Sequence, residues 1–343
     1  MKHPISQTLL LISSSEHGEF FSPTFIPNQE YADNEFGGQL ARAYSEASQA
    51  RAPAIWGMRI PSTSSPEELY FSFQDAYDVL QTFPADIIVP VGAYADQKLT
   101  IKEPTGRPAS FARQLGRFCQ SSWNLGSHKL GLIGTTFNYE SPLDLLSYHF
   151  YDEMNDLRFG EHFGPFVSVC ASRARYLSYE ESYDNNTVVS VAGAIAAQDP
   201  SLGLTNIVVN GSLQIPNMPD RIHRTLARNG MMSIQKNPRR GNVLYKAITG
   251  STQSPYHSLT AMRMLANVLS IIREQSDQYF GDPVDASLGG KDLEDTIVEI
   301  LDEHSSIIDY NYSLYYRNDT CFLDLEILLR GEITAIKTVA RLN

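Results

Sequence analysis

The order of apolar runs and turns predicts an α/β protein of α+β layout. A strand, a helix and a second strand precede a hinge, a layer of alternating strands and helices around a mainly parallel sheet follows it, and the last third holds helices and strands of another pattern. Strand-like and helix-like patterns alternate from residue 67 to residue 248, which is how a parallel sheet covered by helices is built. After residue 258 the pattern changes to two long helices and then three strands in succession. The closing stretch, CFLDLEILLRGEITAIKTVARLN at 321–343, alternates apolar and polar residues, turns at Arg330-Gly331 and alternates again. Chain ends fray unless something ties them down, so this ribbon is expected to pair with another copy of the chain.

The first strand is expected over 8–13, followed by a polar, Pro-containing loop over 16–34. A helix over 35–50 has Leu40, Ala43, Tyr44 and Ala47 on one face, and a strand over 54–60 follows Pro53. The Ser/Thr/Pro-rich stretch 61–66 reads as a hinge. Helices are then expected over 67–82, 111–123, 143–154, 187–197 and 221–228, and strands over 86–91, 129–133, 166–170, 231–235 and 243–248. Asn229-Gly230 is a normal helix stop. The last third carries helices over 259–279 and 292–304 around a Gly/Pro/Asp loop, then strands over 309–316, 322–329 and 333–342. The second of these helices has Leu293, Ile297, Ile300 and Leu301 on one face and an all-acidic opposite face, from Asp292 to Glu303.

At 343 residues the chain is long enough for two domains, and 42% hydrophobic with 19% charged residues is the composition of a folded protein. A net charge of −12 disfavours a nucleic-acid binder, which would show a basic face or stripe. Cys119, Cys170 and Cys321 are far apart, lack zinc or redox spacing, and are expected as buried free thiols of a reducing compartment. No apolar run is long enough to span a membrane, and the run at 9–12 is too short for a signal-peptide core. The chain is therefore expected in the cytosol where it is made.

Chemistry-bearing patterns are weak. His149, Asp152 and Glu153, with Asp156, Glu161 and His162 nearby, form the densest ligand-like cluster, yet a solvated acidic helix end explains them equally well. Gly131 and Gly134 bracket a strand end where backbone N–H groups could hold a phosphate, but a strand-to-helix turn needs glycine for geometry alone. Lone histidines such as His223 and His257 read as surface or structural. The basic turn Asn237-Pro238-Arg239-Arg240-Gly241 could meet an acidic partner or simply be a polar hairpin tip. No catalytic residue, metal or cofactor is expected.

Several stretches, taken in order, resemble the contractile tail sheath family, whose members sheathe the tubes of contractile phages and related injection particles. TLLLISSS and the loop running to Phe36-Gly37 are similar to the family's opening, and APAIWGMRI to the strand after its first helix. DAYDVLQTFPADIIVPVGAYAD is similar to a helix and strand ending in an apolar-Pro-Gly-Asp pattern. VVSVAGAIAAQDPSLGLTNIVVNGSLQ, with Ala192-Gly193, Ala197, Asp199 and Gly203, is the most specific piece. LARNGMMSIQKNPRRGNVLYKAITGST and the closing helices and strands follow the family order, so the resemblance runs nearly full length.

The resemblance implies a structural subunit, not an enzyme, that polymerises helically around a tail tube and contracts to drive it through an envelope for genome ejection. An inner, tube-facing domain of two helices and a small sheet would come from both chain ends, 1–60 and 256–343, and an outer α/β domain from 61–255. Its sheet would be completed by strand exchange. The donated strand would carry Ile333, Ala335, Lys337, Val339 and Arg341, and the acceptor Leu323, Leu325, Ile327 and Leu329. Lys337 and Arg341 are edge charges that discourage uncontrolled pairing. Lys2 and Ile5 would form a linking segment, although only residues 1–7 precede the first strand, where the family has a longer arm. Arg263, Arg273, Lys291, Asp292 and Asp295 are the implied tube-facing residues. Implied partners are identical subunits, the tail tube protein, and baseplate and terminator proteins, without nucleic acid or membrane insertion. The implied location is a virion tail assembled in the host cytoplasm. Two alternatives stand beside this: a collar or baseplate ring subunit of the same fold, and an α/β enzyme using a nucleotide or metal near Gly131 or His149.

Overall fold

The computed structural model describes residues 7–136, 148–155, 162–177, 182–279, 289–317 and 320–331. Its centre is a seven-stranded sheet. β1 (Thr8–Ser14) lies between β3 (Ala54–Ile60) and β4 (Ile87–Pro90), parallel to both. On the β4 side follow β5 (Leu130–Gly134), β6 (Val167–Cys170) and β10 (Met231–Met232), all parallel; β2 (Thr24–Phe25) closes the other edge antiparallel to β3.

Leu9, Leu10, Leu11 and Ile12 are all fully buried, because successive strand side chains point to opposite faces and helices cover both. Leu9 and Leu11 belong to one core with α1 (Gln29–Glu35), α2 (Gly38–Gln49) and α6 (Val188–Ala197). Leu10 and Ile12 belong to the other, with α3 (Pro66–Leu80), α4 (Phe111–Asn124), α5 (Phe150–Met154) and α7 (Asp220–Arg228). Local signals place the helix starts: Ser65 caps α3 ahead of Pro66, and Ser110 caps α4. The small-residue helix α6 lies close on α2. A Cβ at Gly193 would sit 2.8 Å from the Ala47 carbonyl oxygen and 2.9 Å from Ala50 Cβ, so glycine there is a packing requirement.

Four expectations are corrected. The loop over 16–34 contains α1, started by Asn28, whose side chain accepts from the Tyr31 N–H at 2.8 Å. Gly37 and Gly38, at φ 65° and 55°, separate α1 from α2 where a single helix from residue 35 was expected. A small antiparallel sheet, β7 (Arg173–Leu177) between β8 (Ser182–Asn186) and β9 (Leu213–Gln214), was not anticipated; its strands are short and half polar. The strand expected over 231–235 is divided between β10 of the main sheet and β11 (Ile234–Asn237), which pairs with β12 (Gly241–Leu244), ending before the expected 248, to form the basic-tipped hairpin.

The expected grouping of 1–60 with 256–343 does not describe the strand pairing. β1 and β3 are interior strands of the α/β sheet, since a run apolar at every position from Leu9 to Ile12 needs cover on both faces. What forms a core of its own is the C-terminal part: α8 (Leu259–Ser276), α9 (Gly289–Glu303), β13 (Ile307–Arg317) and β14 (Thr320–Leu329). α8 joins the two regions. Leu259 and Met262 near its start lie in the main core, and Val268 and Ile272 further along pack with Leu293, Ile297 and Leu301 of α9.

Candidate assembly surface

β13 and β14 are antiparallel, with a register shift at Ile308. The pairs Tyr310–Ile327, Tyr312–Leu325 and Leu314–Leu323 share the inner face, where Tyr310, Leu314, Leu323, Leu325 and Ile327 pack on the α8–α9 core. The pairs Asp309–Leu328, Asn311–Glu326, Ser313–Asp324 and Tyr315–Phe322 alternate with them and point away. Two tyrosines tie the inner face to α9: the Tyr312 hydroxyl donates to Glu294 Oε1 at 2.9 Å, and the Tyr310 hydroxyl to Asp302 Oδ1 at 2.6 Å. The Arg330 N–H donates to the Ser306 carbonyl at 2.8 Å and fastens the strand end.

Among the described residues this sheet has two strands, so each carries an outer edge with no third strand paired to it. Leu323, Leu325 and Ile327 lie on the inner face, and Leu329 pairs with Ile307 at the far end. Ile333, Ala335, Lys337, Val339 and Arg341, like Lys2 and Ile5, lie outside the described residues.

The expected tube-facing residues divide. Arg263 is a correction: it is 2% exposed, and its guanidinium donates to the Gln198 carbonyl at 2.6 Å. It lies on the same helix face as Leu259, Met262 and Ala266, which is the buried one. Burial pushes its pKa down to about 10 despite nearby Asp86 and Asp199. Arg273 is exposed and pairs with Asp277 at 3.2 Å. Lys291 lies in the first turn of α9, and Asp292 and Asp295 are exposed on that helix.

The weak chemical candidates have structural explanations. A Cβ at Gly131 would meet Leu115 at 2.6 Å, and one at Gly134 would meet Asn186 at 2.7 Å, so both glycines admit close packing. Glu153 pairs with Arg113, which also pairs with Glu103 at 3.2 Å in a nearly buried cluster. Among the described residues no group of three His, Cys, Asp or Glu could hold a metal ion. At the switch point between β1 and β4, where doubly wound sheets place ligands, a Cβ at Gly92 would lie 3.0 Å from Gln39 Nε2. The start of α2 faces the Glu16 carboxylate, 3.1 Å from a Cβ at Gly37, a negative group where a phosphate would bind. His223 is buried against Ser233 at 2.9 Å. Cys119 and Cys170 are buried as expected, whereas Cys321 is exposed on β14. No described helix is long and apolar enough to cross a membrane. Sequence reasoning missed the buried charges Glu46 on α2, Lys129 before β5 and the Glu103–Arg113 pair, because a charge within an apolar pattern carries no signal of its surroundings.

No protein-family model matches the sequence, and no curated protein matches it by sequence. Solved structures match over nearly the whole chain. A chain from the anti-feeding prophage baseplate has a TM-score of 0.71 at 11% identity, covering 99% of this chain and 94% of that one. A chain from the helical sheath of the same particle, in its contracted state, has a TM-score of 0.68 at 11% identity, covering 98% and 94%. The sheath tail protein of Listeria innocua has a TM-score of 0.63 at 11% identity, covering 96% of each. The chain therefore has the fold of the sheath proteins of contractile tails and injection systems.

Proposed function

We propose that this chain is a structural, non-enzymatic subunit of a contractile sheath, assembling with identical copies in a helical lattice around a tube. The observation that carries this reading is the match of fold to sheath proteins over 98% and 96% of the chain. The open edges of β13 and β14 supply a means of assembly: an exposed edge is a template for a strand from a neighbour. In this reading residues 333–341 of one copy add to the hairpin of the next, and residues 2–5 help. Main-chain hydrogen bonds then hold the lattice while subunits move as rigid bodies. The exposed acidic residues of α9, Asp292 and Asp295, face a tube that is basic opposite them. Contraction drives the tube, with genome or other cargo, through an envelope, in a particle assembled in the cytoplasm and completed by baseplate and terminator proteins.

The experiment is negative-stain electron microscopy of the purified full chain, alone and with its tube protein. Hollow helical tubes support the sheath reading, and a persistent monomer overturns it. The baseplate match favours a second reading, a ring subunit of the same fold, for which closed rings are expected.

A further inference from the structure

Between residues 220 and 246 the chain holds seven of its 27 basic residues and only Asp220 of its 39 acidic ones. All seven are exposed. They lie on α7 and on the β11–β12 hairpin, which touch at the base of the hairpin; the tip reaches the other side of the sheet, where Arg240 lies with Ala50, Arg51 and Ala194. His223 meets Ser233 at 2.9 Å, and its ring lies 5.4 Å from that of Tyr245. Asn237 Oδ1 accepts from the backbone N–H groups of Arg239 and Arg240 at 2.9 and 3.1 Å, which sets both arginines at the hairpin tip. A protein of net charge −12 thus carries an exposed segment rich in arginine.

The outward face of β13–β14 has the complementary chemistry. Asp309, Asp324 and Glu326 are exposed there between apolar ends: Leu328 at 58% exposure beside Ile308, and Tyr315 stacked on Phe322 with ring centroids 5.3 Å apart. Carboxylates beside flat aromatic rings suit arginine, whose planar guanidinium pairs with the first and stacks on the second. We propose that this outward hairpin face of one copy docks on the β11–β12 hairpin tip of a second copy, where Arg239 and Arg240 are exposed. The proposal rests on the self-assembly reading above and names faces distinct from the strand edges and from the exposed side of α9. The contact is heterologous, head to tail, the kind that generates rings or helical arrays. It also lets copies of the same net charge associate, since opposite charges meet at the contact.

The test is a charge swap in the full chain. One variant carries Arg239→Glu with Arg240→Glu, the other Asp324→Lys with Glu326→Lys, and unchanged far-UV circular dichroism and melting show that each is folded. Assembly is followed by sedimentation velocity and electron microscopy at low and high salt. Wild type is expected to polymerise and to weaken as salt rises. Each variant alone is expected to stay small, and an equimolar mixture to polymerise again, because each supplies the charge the other has lost. If both variants polymerise alone as wild type does, the docking is overturned while the sheath reading stands. Failure of the mixture to assemble also overturns it. If wild type itself never polymerises, both readings fall.

Discussion

Glu46 Oε1 accepts the Asn185 side-chain N–H at 2.9 Å, and this buried bond connects α2 to β8 across the edge of the main core. The Tyr183 hydroxyl donates to the same oxygen at 3.1 Å, and Arg42 lies over the Tyr183 ring at 5.7 Å. Burial dominates over these bonds and pushes the Glu46 carboxyl up to about 7. Because the folded pKa lies above the unfolded one, the folded state holds its proton where the unfolded state has lost it. Stability from this group therefore falls as pH rises from the unfolded value of 4.5 to about 7. The loss is about 3 kcal/mol at one to two units above neutrality. Glu46→Gln removes the dependence, so its melting temperature relative to wild type is expected to rise between pH 5 and pH 8. A constant difference across that range would contradict the assignment.

Lys129 is fully buried, and its ammonium donates to the Gln81 carbonyl at 3.3 Å and to the Ser127 hydroxyl. Burial pushes its pKa down to about 8. Here the unfolded state keeps its proton longer, so stability rises with pH from about 8 to the unfolded value of 10.5. Lys129→Met keeps the apolar stem and removes the charge. It is expected to be more stable than wild type at pH 7 by up to about 3 kcal/mol, with the gain disappearing by pH 10.5. Chemical denaturation at the two pH values measures this.

Gly193→Val tests the contact between α2 and α6. The new Cβ has nowhere to go against the Ala47 carbonyl and Ala50, so the helices must separate. A loss of about 1–3 kcal/mol in urea unfolding is expected. A neutral result would mean that the two helices are not held at this spacing.

Adjacent residues of β14 should respond in opposite ways. Ile327 packs on the α8–α9 core and Leu328 faces outward. Ile327→Asp is expected to cost about 2–4 kcal/mol in the C-terminal unit. Leu328→Asp should change stability by no more than about 0.5 kcal/mol while weakening association. Equal destabilisation by both would mean that the hairpin presents its faces the other way round.

Truncation of residues 333–343 addresses strand exchange. The remaining chain keeps all three cores of the described residues and is expected to fold as a monomer that no longer polymerises. Normal tubes from the truncated chain would defeat the linkage.

Much of the architecture is local information. The all-apolar run Leu9–Ile12 announces a strand covered on both faces, Ser65-Pro66 announces a helix start, and the alternation in β14 announces which residues face inward. Periodicity also separates the buried stripe of α9 from its acidic face, because both lie within one helix. The tertiary structure decided what depends on distant partners. β1 sits beside β4 in the α/β sheet, a pairing across about eighty residues that no local pattern records. Arg263 is buried because its face of α8 meets the main core, and a charge in sequence does not reveal which face of a helix is covered. The two arginines at the hairpin tip are adjacent in sequence, but that the tip lies beside α2 and α6 depends on how the hairpin packs. Sequence thus set the elements and their inner faces, through the short-range sterics and periodicity of the backbone. Which faces meet, and which remain exposed, followed from long-range packing.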